Sequence, residues 1–165
     1  MELELKDGEG NNVVKGLTPQ VSNTFTWGTQ WTENNLTDGD YGIDSDCGYS
    51  SAQVASGQTS FTLTDPITIE FAFDTAVSVS SLNLYPRIKS EPISGKECVN
   101  YPKKYSLKVS ENGNNWTTVG TYQVDELRNT VNYPETQSEG IYSTTKFDEV
   151  TAQDVRVVVY RNRSG

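Results

Sequence analysis

Apolar and polar residues alternate in four stretches of the chain, and each predicts a strand. PITIEFAF (66–73) sets Ile67, Ile69, Phe71 and Phe73 on one face and Thr68, Glu70 and Ala72 on the other. That is a half-buried strand, with a proline that can start it. VSVSSLNLY (77–85) alternates with a phase slip at Ser80-Ser81, as a bulge or bend would give. In KKYSLKVSENGNNWTTVGTY (103–122), Tyr105, Leu107 and Val109 share a face, and Asn112-Gly113 marks a turn inside a longer polar loop. Trp116 opens the return strand of this hairpin. DVRVVVY (154–160) puts Val155, Val157 and Val159 on a buried face. No segment carries a helical period, and no long period repeats. Short strands with one polar face and long polar loops predict an all-β, antiparallel sandwich.

Composition sharpens this picture. The 165 residues fit one domain spanning 1–165. Nine tyrosines, three tryptophans and five phenylalanines supply large buried area to a chain otherwise poor in apolar residues. A formal net charge of −9 disfavours nucleic-acid partners and anionic membranes, because binding to either rests on basic residues. No apolar run approaches the ~20 residues of a membrane helix. The first residues do not read as a signal peptide, which leaves the compartment open. There is no histidine. That removes the commonest general base, the commonest zinc ligand and any nucleophile–histidine pair. A two-carboxylate hydrolase survives on inventory alone.

The densest polar stretch is NNLTDGDYGIDSDCGYSS (34–51), with Asp38, Asp40, Asp44 and Asp46 close together. Asp, Asn, Ser and Gly also dominate ordinary turns, so a solvated loop, a carboxylate pair and a metal cage all stay open on the residues. Calcium takes six to eight oxygens from such groups. The loop is not an EF-hand: counting from Asp38, the sixth position is Ile43 and the twelfth is Tyr49, where that motif needs Gly and Glu.

Six landmarks occur in a recognisable order: NLTDGD, GYSS, ITIEFAF, VSVSSLNLYPR, YPKKYSLKVSENGNNWTTV and FDEVTAQDVRVVV. From about Asn12 to Tyr160 the chain resembles the discoidin domain, also called the coagulation factor V/VIII type C domain. It most resembles the bacterial branch, carbohydrate-binding module family 32. The resemblance implies a jelly-roll sandwich with a ligand site in loops at one end, and a structural calcium at the DGD turn. Carried over, Asp38 would supply a carboxylate, and Asn35 and Asp40 backbone carbonyls. Many members place Ser or Thr five residues after the first Asp; here Ile43 stands there, and Ser45 or Asp44 could take the role. The family also uses a glutamate in its last strand. This sequence has no such strand after VVVYRNRSG but opens MELEL. Two readings follow: a circular permutation with Glu2 in the glutamate role, or an ordinary first strand.

The resemblance also places ligand contacts. Arg87 follows LYP where the family has an arginine, and Asn100 precedes YPKK near a family asparagine. Tyr49 and Tyr41 are the aromatic candidates in the first loop. The histidine of many galactose-binding members is missing, which weakens the case for galactose itself. Trp116 reads as hairpin or core packing; Trp27 and Trp31 read as core or rim. Cys47 and Cys98 fall in loops that the resembled fold brings to one end, so a disulfide is expected, with two free thiols as the alternative.

The expected function is a non-catalytic, calcium-containing carbohydrate-binding module of a secreted or cell-surface bacterial protein, part of a larger multidomain chain. Its expected partners are galactose-type or related glycans, from sources such as host mucin or plant polysaccharide. A cell-surface adhesion or protein-binding discoidin module without a sugar pocket is the alternative. A hydrolase pairing Asp44 with Glu91 or Glu97 is a third reading.

Overall fold

A computed structural model describes residues 1–24, 30–41, 48–49, 51, 60–85, 87–88, 98–99, 101–123 and 143–163. The strands are β1 (Glu2–Lys6), β2 (Gln20–Val21), β3 (Ser60–Tyr85), β4 (Arg87–Ile88), β5 (Cys98–Val99), β6 (Tyr101–Ser110), β7 (Thr117–Gln123) and β8 (Ser143–Arg163). The helical content among the described residues is one 3-10 turn, Glu33–Leu36. All pairings between these strands are antiparallel.

The strands expected over 66–73 and 77–85 are parts of one long strand, β3, which runs antiparallel to the equally long β8. Asp74, Thr75 and Ala76, which lie between the two expected strands, are exposed but stay within β3. The register shifts there, between Ala72 and Val77, and again between Val79 and Ser81. Bulges of this kind bend a strand without ending its pairing, and strands bent this way can contribute to both layers of a sandwich. The second shift sits at the Ser80-Ser81 phase slip: Val79 and Leu82 are both buried, with the two serines between them only half-buried.

One half of the β3–β8 ribbon carries β2, β6 and β7; the other carries β1. The two halves share a core. Ile67, Ile69, Phe71, Val155, Val157, Val159, Tyr105 and Leu107 come from the first, and Leu3, Leu5, Leu82, Leu84 and Val79 from the second. Burying each such side chain fully is worth about 1.5–3 kcal/mol. The expected hairpin is present, with Gly113 at φ 71° in its loop. Trp116 belongs to it: the indole N–H donates to the Gly113 carbonyl at 3.2 Å, and the Arg156 guanidinium lies 3.8 Å over its ring. Glu70 completes the row, accepting two hydrogen bonds from Arg156 at 2.9 and 2.6 Å.

Candidate functional site

The site is built on β1. Its sequence, ELELK, alternates, so Leu3 and Leu5 enter the core while Glu2, Glu4 and Lys6 share the other face. β1 pairs with the end of β3 so that Glu2 lies opposite Tyr85, Glu4 opposite Asn83 and Lys6 opposite Ser81. A charged face on a sheet edge is ordinarily solvated. Here Glu2 is only 1% exposed and Glu4 6% exposed. The DGD turn accounts for this, because it packs on that face.

Gly39 lets the turn form. It has φ 88°, a conformation that costs glycine little. Its N–H donates to Glu2 Oε1 at 3.0 Å, and the Asp40 N–H donates to Asp38 Oδ1 at 2.8 Å. The Asp38 carboxylate therefore faces that of Glu2. Burial, reinforced by the neighbouring Asp38 charge and opposed by the Gly39 N–H and the terminal ammonium, pushes the Glu2 carboxyl up to about 8. The second oxygen, Oε2, is buried with no hydrogen-bond partner. Asn35 holds the neck of the loop, its amide donating to the carbonyls of Gln30 at 2.7 Å and Gly48 at 3.3 Å.

Beside this pair, Glu4 is fully engaged. Its Oε2 accepts from Asn83 Nδ2 at 3.0 Å, the Tyr85 hydroxyl at 2.8 Å and Lys6 Nζ at 3.3 Å; its Oε1 accepts from the Tyr41 hydroxyl at 3.3 Å. Burial alone would raise its pKa. Hydrogen bonds from Asn83 and Tyr85 and the Lys6 charge outweigh burial and hold the carboxyl below the usual range. Burial and the Glu4 carboxylate push the Tyr85 phenol up.

The residues singled out from sequence fare unequally. Glu2, Asp38 and Tyr41 come together. Asp40 bonds Asp38 within the turn, while the Asn35 amide is engaged at the loop neck. Tyr49 does not join a ligand surface: it is 7% exposed, belongs to the core, and its hydroxyl donates to the Asn23 carbonyl at 2.6 Å. Its ring is used up by packing, which corrects the expectation of a sugar platform there. Arg87 lies in β4, two residues past Tyr85, with Val99 opposite; Cys98 lies in β5 opposite Ile88. Only the backbone of these positions is described. Ser45, Asn100, Cys47, Trp27 and the Asp44, Glu91 and Glu97 carboxylates lie outside the described residues, and so does the Cys47–Cys98 pairing. Trp31 lies at the loop neck, bridged to Gly48. Sequence reasoning passed over Glu4, Asn83 and Tyr85. Their signal was the alternation itself, which puts Glu4 beside Glu2 and sets Asn83 and Tyr85 opposite the core leucines.

No group of three or more Asp, Glu, Cys or His side chains is gathered among the described residues. The site instead offers the Glu2 and Asp38 carboxylates, which are hard-oxygen donors. No helix among the described residues is long and apolar enough to cross a membrane.

Fold and site thus define an antiparallel β-sandwich with an acidic turn clamped by a buried edge strand. The F5/8 type C domain family model matches residues 18–165, and the chain belongs to that family. Among curated proteins, none matches the chain. Solved structures of the same fold include the module CpGH89CBM32-5 from Clostridium perfringens, in complex with GalNAc-beta-1,3-galactose. It is 17% identical with TM-score 0.52, over 89% of this chain and 94% of that one. A second is chitosan-binding module 2 of a chitosanase/glucanase from Paenibacillus sp. IK-5, in complex with chitotriose (21% identity, TM-score 0.55, 92% and 88% covered). A third is CBM32-3 from a family 31 glycoside hydrolase of Clostridium perfringens (18%, TM-score 0.54, 99% and 92%).

Proposed function

We propose that this chain is a non-catalytic carbohydrate-binding module of a secreted or surface bacterial protein, recognising glycan ends through loops at one end of the sandwich. The observation that carries the reading is the joining of the DGD turn to the strand end before Arg87 through one buried polar cluster, in a fold shared with modules solved in complex with sugars. Arg87 is assigned as the polar anchor, since a guanidinium fork donates to two adjacent sugar oxygens at once. Tyr41 is the aromatic candidate, with Asn100 beside the anchor.

A structural calcium belongs to the same proposal. The buried, unpartnered Glu2 Oε2 beside the Asp38 carboxylate fits a hard dication. Glu2 and Asp38 would hold it with the backbone carbonyls of Asn35 and Asp40 and the hydroxyl of Ser45. Bound there, calcium would supply the positive charge that two adjacent carboxylates lack. β1 thereby takes the part that the family gives to its last strand. The module would raise the local concentration of an attached partner at glycan surfaces rather than perform chemistry. A glycan array, run with calcium and with chelator, tests the whole reading. Binding that needs calcium is expected; an array without a hit in either condition refutes it.

A further inference from the structure

The Glu4 cluster carries an inference of its own, resting on the glycan-binding reading. A carboxylate offers about four acceptor sites and no donor. Here four donors converge on it from four residues: Tyr41, Tyr85, Asn83 and Lys6. The group is buried, so these bonds act in a low dielectric, and charge-assisted bonds of this kind are the strong ones. Asn83 is oriented by Glu4: its Nδ2 must face the carboxylate, while its Oδ1 is buried with no partner. The two tyrosine rings are tilted against each other with centroids 4.5 Å apart.

The location matters as much as the bonds. Tyr41 stands three residues after Asp38, directly after the DGD turn. Tyr85 stands two residues before Arg87, at the end of β3. No strand pairing links the turn to that strand end among the described residues. Glu4 adds a side-chain link through one carboxylate, beside the Gly39 bond to Glu2 and the Tyr41–Tyr85 ring contact.

We propose that Glu4 is a positioning residue of the glycan site, holding Tyr41 against Tyr85 and so fixing the DGD turn relative to the strand end that leads to Arg87. It touches no sugar itself. Its effect on affinity passes through Tyr41, so the two residues must be coupled.

The experiment titrates calcium-loaded wild type, Glu4→Ala, Glu4→Gln, Tyr41→Phe and the Glu4→Gln/Tyr41→Phe double variant. The probes are GalNAc-β-1,3-galactose, chitotriose and the tightest array glycan. Loss of a charge-assisted partner predicts a glycan Kd raised about tenfold in Glu4→Ala, with calcium affinity unchanged within about threefold, since Glu2 is untouched. Glu4→Gln keeps one acceptor oxygen and can donate to the Tyr41 hydroxyl, so it should restore part of the loss. The double variant should bind no worse than the weaker single one, as residues acting through one contact do. Glu4 variants that bind as tightly as wild type overturn the proposal alone, as does strict additivity in the double variant. Wild type that binds no glycan at all overturns the module reading and this proposal with it. Should Glu4→Ala fail to fold, Glu4→Gln and Tyr41→Phe still decide.

Discussion

Glu2 makes a pH prediction that can be worked through from the structure. Its carboxyl ordinarily titrates near 4.5 and is pushed up to about 8 in the folded protein. Between those values the unfolded chain has lost the proton and the metal-free native protein keeps it. The native state therefore binds more protons, and stability falls as pH rises through that window. Each pH unit within it costs about 1.4 kcal/mol, so the window from 4.5 to about 8 amounts to roughly 5 kcal/mol. That is a large share of the ~5–15 kcal/mol by which domains are stable. Glu4 acts in the opposite sense and at lower pH. Its carboxyl is held below the usual value, so its contribution is present above the unfolded pKa and is lost as pH falls through the folded one. Metal-free protein should thus be most stable near the ordinary carboxylate range.

The assay is urea unfolding in chelator at pH 5, 6, 7 and 8, at constant ionic strength, on wild type and Glu2→Gln. Glutamine imitates the protonated acid: its oxygen accepts from Gly39 and its amide faces Asp38. The two proteins should match at pH 5. By pH 8 Glu2→Gln should be the more stable by several kcal/mol. With calcium added, wild type should lose its pH slope and Glu2→Gln should gain little. Equal slopes for the two proteins in chelator would refute the reasoning, because they would mean that Glu2 is already ionised in the metal-free fold.

Three further outcomes are expected. Chelation should lower the melting temperature by about 5–10 °C, the equivalent of a ligand at a hundredfold excess over its Kd; Asp38→Ala should erase that difference in differential scanning calorimetry. Arg87→Ala should weaken glycan binding by about 1.5–3 kcal/mol in calorimetric titration, with the melting temperature close to wild type; unchanged affinity would place the pocket elsewhere. Thiol titration of denatured, unreduced protein should find no free thiol if Cys47 and Cys98 are bridged, a closure of about fifty residues worth roughly 4 kcal/mol; two reactive thiols would end that idea.

What sequence revealed, and what it hid, divides along a physical line. Strand faces were legible because burial of a pleated strand imposes a period of two: Ile67, Ile69 and Phe71 are buried, and so are Val155, Val157 and Val159. The phase slip at Ser80-Ser81 was legible for the same reason, since a bulge interrupts that period. Whether Asp74-Thr75-Ala76 ends a strand was not legible, because the answer lies in β8 and its register rather than in those three residues. Tyr49 among glycines and serines read as a loop aromatic; the core that takes its ring and the Asn23 carbonyl that takes its hydroxyl are remote in sequence. Glu4 was passed over, because nothing near it in sequence marks it as buried. The turn that covers it begins more than thirty residues later.

The two glutamates of β1 also bear on why the strand has this sequence. Replacing buried charges by apolar residues of similar size is often neutral or stabilising. The core face of β1 already supplies Leu3 and Leu5, both fully buried. Stability alone therefore gives no reason for two carboxylates on the opposite face, each less than a tenth exposed. Their surroundings differ in kind. Glu2 has one N–H donor for two oxygens and a second carboxylate facing it, so its environment opposes its own charge. Glu4 has four donors, three on Oε2 and one on Oε1, so its environment sustains its charge. The first arrangement suits the proposed calcium, and the second holds two side chains still. Both act at the DGD turn from a five-residue strand that is remote from it in sequence. A strand of leucines would anchor the edge of the sheet equally well and do neither.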